Sequence, residues 1–168
     1  MTPFTFEDAE KAYREWGANC GPGALAAIMG MTLEQVRPHI PDFDAKRYTS
    51  PTMMYAALKN IGRPWEKIVA GWPIYGLVRV QWEGPWTKLG VPIAARYRYT
   101  HWVGAQTHYG NSKNIGIFDI NCMNNSTGWV SLNDWSSQIA PYLIAQYPKA
   151  DGKWHLTHAV EVSKQWSI

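Results

Sequence analysis

The chain has only two cysteines, Cys20 and Cys122, in 168 residues, too few for the disulfide framework that staples small secreted domains. Whether these two pair with each other is left open by the sequence. Zinc-type ligand spacing is also missing: the one close histidine pair, His155-x-x-His158, would point to opposite faces of a strand. No metal and no cofactor are therefore expected. There is no apolar run long enough to span a bilayer, and the N-terminus lacks an apolar core with a cleavage site. The expectation is a soluble, cytoplasmic chain with no membrane partner. A net charge of +3 without a dense basic run gives no nucleic-acid footprint. Arg96-Tyr97-Arg98-Tyr99 mixes cation and aromatic as single-strand binders do, but its alternation suits a strand with one wet face as well. Repeats and low-complexity segments are absent too.

Aromatics are plentiful. Ten tryptophans and nine tyrosines concentrate after Trp65, and their large area and polar edge suit both a core and a cleft wall. Trp16, Trp82, Trp86 and Trp102 are the candidates for a substrate cleft. The turn Gln81-Trp82-Glu83-Gly84-Pro85-Trp86-Thr87 reads either as one wall of that cleft or as a hydrophobic cap on a sheet. With 46% hydrophobic and 17% charged residues, the composition is that of one globular domain over residues 1–168.

The first third reads as helical. Helical spacing runs from Phe6 to about Glu15, and a second helix opens at Cys20 and can end at Gly30. Thr32-Leu33-Glu34-Gln35 has the spacing of a capping box, and Ser50-Pro51 is an N-cap with proline in the first turn, before an apolar stripe that ends at Gly62. After Pro64 the pattern becomes strand-like. Strands are expected at 77–82, 91–97, 101–106, 115–120 and 156–162, with a hairpin loop at 109–114 and a short helix from Ser131 towards Ile139, ahead of Pro141. The fold class is α+β, with helices first and an antiparallel sheet after them.

Cys20 lies where a helix begins: Asn19-Cys20-Gly21-Pro22-Gly23 runs into Ala24-Leu25-Ala26-Ala27-Ile28-Met29. The unpaired N–H groups and positive end of such a helix stabilise a thiolate, which is how a cysteine nucleophile is prepared. A buried small-residue cysteine in a helix-opening turn is the alternative reading. A nucleophile needs a base, and the base needs an orienting partner. His101 opens one strand and Asp119 closes the next, so a hairpin centred near Asn111 makes them neighbours. His158 has similar surroundings but no acid or amide at a hairpin spacing, and Cys122 reads as a packing residue or a redox partner of Cys20.

With Cys20, His101 and Asp119 in that order, the chain resembles the papain-like cysteine peptidases, and within them the C39-like group typified by bacteriocin-leader peptidases. The resemblance rests on Asn19 to Leu25 opening a helix, on Leu58-Lys59-Asn60-Ile61-Gly62, on Pro92-Ile93-Ala94-Ala95 leading to His101-Trp102-Val103, and on Ile117-Phe118-Asp119. It continues through Trp129-Val130-Ser131-Leu132-Asn133-Asp134-Trp135, where such domains place a strand and a short helix. It implies a helical lobe (about 1–64) bearing Cys20 and a sheet lobe (about 65–168) bearing His101 and Asp119, with a peptide or protein substrate between them. Cys20 would then attack a carbonyl carbon, His101 would move the proton and Asp119 would orient His101.

Papain-like enzymes usually supply the oxyanion hole from the cysteine N–H and a glutamine six residues before it; here that position is Arg14. Arg14, Asn19 and Gln81 are the candidate donors, unless the hole is incomplete. The functional expectation is a cysteine peptidase or thiol acyl hydrolase. The alternatives are a catalytically silent papain-like domain that binds a peptide or protein, and an acyltransferase or deamidase with the same triad.

Overall fold

The computed structural model describes residues 4–16, 19–46, 48–108, 114–123 and 127–164. It is an α+β arrangement built on one six-stranded antiparallel sheet. The helices are α1 (Phe6–Trp16), α2 (Cys20–Met29), α3 (Leu33–Val36), α4 (Phe43–Lys46) and α5 (Pro51–Ile61), then α6 (Ile93–Arg96), α7 (Leu132–Asp134) and α8 (Ala140–Ile144). The strands are β1 (Trp65–Ile68), β2 (Tyr75–Trp82), β3 (Thr100–Gln106), β4 (Gly116–Phe118), β5 (Trp129–Ser131) and β6 (Trp154–Val162), in the spatial order β1-β6-β2-β3-β4-β5. None of the described helices is long and apolar enough to cross a membrane.

The helical boundaries follow local chemistry. Gly30 and Gly62 take left-handed conformations (φ 63° and 80°) and donate their N–H groups back into α2 and α5. Thr32 and Gln35 form the reciprocal capping box of α3, and Ser50 Oγ accepts from the Met53 N–H ahead of Pro51. Nearly every residue of α2 is buried, because the helix is sandwiched between α1, α3 and α5 on one side and Leu77, Trp102, Phe118 and Val160 of the sheet on the other. Full burial of a side chain such as Leu25 or Ile28 contributes roughly 1.5–3 kcal/mol. The small residues of α2 set how closely it docks: a Cβ on Gly23 would come 2.7 Å from Ile120 Cδ1. The opposite face of the sheet packs Val78, Val80, Trp82, Val103 and Ile117 against Trp135, Leu143 and Ile144.

Three expectations are corrected. Residues 93–96 form α6 instead of a strand; Ile93 is exposed there and no described strand pairs with the segment, so the helix preference of Ala94 and Ala95 prevails after Pro92. The helix after Ser131 does not stop before Pro141. It widens into a π turn over Trp135–Ile139, with the Ala140 N–H bonded to the Trp135 carbonyl, so Pro141 falls in the first turn of α8, where a missing N–H costs little. His155 and His158 do not sit on opposite faces. The β2–β6 register slips between Arg79 and Val80, so that Arg79 faces His158 and Gln81 faces His155, and this bulge brings both histidines to one face. Each has its own partner, His155 with Glu83 and His158 with Thr157. Of the hairpin loop expected at 109–114, residues 109–113 lie outside the described ones.

Candidate active site at the start of the second helix

Cys20 is the first residue of α2 and is half-buried, and neither it nor Cys122 is in a disulfide. The β3–β4 ladder ends at Gly104 opposite Phe118, so the start of β3 has no β4 partner there, and the α2 terminus docks against it. The His101 side chain and the Trp102 backbone N–H both act on the thiol and lower its pKa. The same ladder brings Asp119 back beside His101: His101 Nε2 lies 2.8 Å from Asp119 Oδ2. With Nε2 committed to Asp119, Nδ1 is the ring nitrogen left for Cys20.

Asp119 is fully buried. Its Oδ2 also accepts Trp135 Nε1–H at 2.8 Å, and its Oδ1 accepts the Asn121 backbone N–H at 2.9 Å and Asn121 Nδ2–H at 2.8 Å. Burial alone would raise this carboxyl, but the His101 charge and hydrogen bond, with Trp135 and Asn121, hold it below its ordinary value. Trp82 sits over His101 (ring centroids 5.8 Å apart) and over Trp135 (6.2 Å), so the base is clamped between its acid partner and an aromatic wall.

The same interactions set the proton. Burial would lower His101, yet the Asp119 charge and hydrogen bond, reinforced by Cys20, push it up to about 10. Burial would raise Cys20, yet the His101 hydrogen bond and charge and the Trp102 N–H bring it below an ordinary thiol. The two shifts act together, favouring a thiolate–imidazolium pair over a neutral thiol and imidazole. Cys122 is the opposite case, pushed up to about 12 by burial and by Asp119.

The other sequence candidates separate. Arg14 and Asn19 line one cavity of about 400 Å³ together with Glu10, Tyr13 and Asn121, and the Asn19 side chain makes no capping bond to α2. Gln81 is buried, and its amide nitrogen is spent on the carbonyls of Arg96 and Arg98. Trp82 and Trp102 are each 2% exposed and belong to the two faces of the core, so neither lines an open cleft; Trp102 Nε1–H bonds the Thr49 carbonyl at 2.8 Å. Trp86 does line a cavity, of about 550 Å³, with Val91, Arg98, Tyr99 and Tyr147. The Tyr147 hydroxyl is raised first by burial and then by the Cys20 charge. The Trp16 side chain lies outside the described residues.

Trp135, Asn121, Arg79 and Thr49 join the site without having been singled out from the sequence. Asn121, two residues after an aspartate, carries a local turn signal. Arg79 carries one as well, a charge inside the apolar run Leu77-Val78-Arg79-Val80. Trp135 carries none, since its contact with Asp119 is purely tertiary. Among the described residues no group of three His, Cys, Asp or Glu side chains is arranged to hold a metal ion. No family model, curated protein or solved structure matches the chain.

Proposed function

We propose that the protein is a papain-like cysteine peptidase or related thiol acyl hydrolase, in which Cys20, His101 and Asp119 cleave a peptide or amide bond. The observation that carries this reading is the buried His101 Nε2–Asp119 Oδ2 hydrogen bond of 2.8 Å, with His101 lowering the Cys20 thiol at the start of a buried helix. The helix-borne nucleophile and sheet-borne base and acid also agree with a two-lobed papain-like plan, with the substrate bound where α2 meets the start of β3.

In this mechanism the Cys20 thiolate attacks the carbonyl carbon and forms a C–S bond. The oxyanion is met by the Cys20 backbone N–H, which at the first position of α2 has no helical acceptor, and by a donor from the Arg14–Asn19 wall. His101 gives its proton to the leaving nitrogen as the C–N bond breaks, leaving a thioester. Neutral His101 then takes a proton from water, hydroxide adds to the thioester, and the acid departs as the thiolate and imidazolium are restored.

Alkylation by iodoacetamide, followed by mass spectrometry at neutral pH, tests the nucleophile. Cys20 should react more than about a hundredfold faster than Cys122, because only the thiolate reacts, and His101→Ala should abolish the difference. Equal slow labelling of both cysteines would leave a silent binding domain as the better reading. With an active-site peptide probe, Cys20→Ala and His101→Ala should each lose labelling.

A further inference from the structure

Among the described residues, two buried side-chain atoms have no hydrogen-bond partner, Arg79 Nε and Thr49 Oγ1, and both belong to residues near the nucleophile. Arg79 stands directly across from Trp102 in the β2–β3 ladder and from His158 in the β2–β6 ladder. Directly opposed residues of adjacent strands have Cβ atoms about 5 Å apart on one face. That face is the one α2 covers, since Leu77, two residues before Arg79, packs with α2 in the same core. Thr49 closes the gap from the other side: its carbonyl accepts Trp102 Nε1–H, and its hydroxyl would lie 2.5 Å from a Cβ placed on Gly21, the residue after Cys20. Cys20, Gly21, Thr49, Trp102 and Arg79 are therefore consecutive neighbours.

Arg79 is 8% exposed, and no described Asp or Glu pairs with it. A buried guanidinium without an anion is costly, because its desolvation is not repaid. Its Nε is sealed and unpaired, as is the Thr49 hydroxyl beside it. The anion that acts most on Arg79 is the Cys20 sulfur, ahead of the Tyr97 and Tyr55 hydroxyls; no described carboxylate is among them. Lys67 lies over the Tyr55 ring, and His158 is lowered by burial, then by Arg79 and Lys67. Arg79 and Thr49 both offer hydrogen-bond donors, and a planar carboxylate is the acceptor that a guanidinium fork matches best.

We propose that Arg79, assisted by Thr49, binds a substrate carboxylate next to the bond that Cys20 attacks, so that the substrate class is a carboxylate-bearing acyl compound or peptide. This rests on Cys20 being the nucleophile, and the test keeps the two apart. The rates at which Cys20 is alkylated by iodoacetate and by iodoacetamide are measured for the wild type and for Arg79→Met. The two reagents share a leaving group and differ in a carboxylate, so their rate ratio cancels any change in the thiolate population. The ratio should fall at least about tenfold in Arg79→Met, the scale of one charged hydrogen-bonded contact, and should fall less in Arg79→Lys. Because no described carboxylate pairs with the buried cation, Arg79→Met should keep or raise the Tm.

An unchanged ratio, or a Tm lowered by Arg79→Met, overturns the carboxylate site in favour of a structural arginine. Failure of the nucleophile assignment reads differently, as wild-type Cys20 reacting no faster than Cys122 with neutral iodoacetamide. Competition then separates the two carboxylate sources. Protection of Cys20 by N-acetyl-glutamate amide supports an acidic side chain, protection by N-acetyl-alanine supports a free chain end, and protection by neither overturns the proposal.

Discussion

Trp135 donates its indole N–H to the Asp119 oxygen that also meets His101, each at 2.8 Å. The carboxylate that orients the base is thus held by a residue anchored in the second core, on the sheet face away from α2. Trp135→Phe keeps most of the ring packing but removes the donor. The loss of a buried hydrogen bond to a charged group costs about 1.5–3 kcal/mol, measurable by urea denaturation. Asp119 titrates below its ordinary value in the folded state, so its contribution to stability is present above the unfolded pKa and is lost as pH falls through the folded one. Losing Trp135 moves the folded pKa upward, so acid unfolding should begin at a higher pH than in the wild type. An unshifted acid limb would mean that Asn121 and His101 alone set the titration.

The active form needs a thiolate and an imidazolium together. As pH rises it forms when Cys20 loses its proton, below the ordinary thiol range, and it disappears when His101 loses its own, near pH 10. Turnover of a substrate whose leaving group must be protonated should therefore trace a bell with a high alkaline limb. Iodoacetamide needs no proton, so its rate should rise once and hold. Asp119→Asn removes the main influence holding His101 up, and the alkaline limb should move down. An alkaline limb that stays in place would remove Asp119 from the role of orienting acid. His101 also contributes stability that is complete below its unfolded pKa and fades as pH climbs through about 10.

Features written in neighbouring residues were legible in the sequence. The Thr32–Gln35 box, the Ser50–Pro51 start and the Gly30 and Gly62 ends depend on three or four residues each, and the His101–Asp119 pairing follows from a hairpin symmetrical about position 111, the observed β3–β4 register. What depended on tertiary contacts was hidden. Trp82 and Trp102 look like cleft aromatics until the sheet acquires a packed layer on each face. The bulge near Thr157 reverses the facing of one histidine through a slip that no local pattern announces. Gln81 resembles an oxyanion donor until its amide meets the carbonyls of Arg96 and Arg98.

These placements rank the oxyanion donors. Asn19 and Arg14 share the cavity at the start of α2, whereas the Gln81 amide is already engaged. Removing a true oxyanion donor costs a factor of about 10² to 10³ in turnover. Asn19→Ala or Arg14→Ala should show that loss in kcat with little change in urea midpoint. Gln81→Ala should do the reverse, lowering the midpoint because the carbonyls of Arg96 and Arg98, at the end of α6 and in the connection to β3, lose their donor. A loss of kcat at unchanged stability in Gln81→Ala would put the donor on β2.

Gly21 holds the thiol in place through space, because its φ lies outside the left-handed range and alanine fits the backbone. Helix propensity alone would make Gly21→Ala stabilising by about 1 kcal/mol. Packing opposes it: the new Cβ would lie 2.5 Å from Thr49 Oγ1 and 2.6 Å from Thr49 Cβ. Thr49 cannot easily withdraw, since its carbonyl holds Trp102 Nε1–H. Overpacking of this kind costs about 1–3 kcal/mol, so the net change should be destabilising, and the displaced helix start should slow iodoacetamide labelling of Cys20. Combining Gly21→Ala with Thr49→Gly removes the obstacle, and the double variant should be more stable than the two single losses added together. Strict additivity would show that the second helix can shift away from Thr49 at no cost, and that the position of Cys20 is set elsewhere.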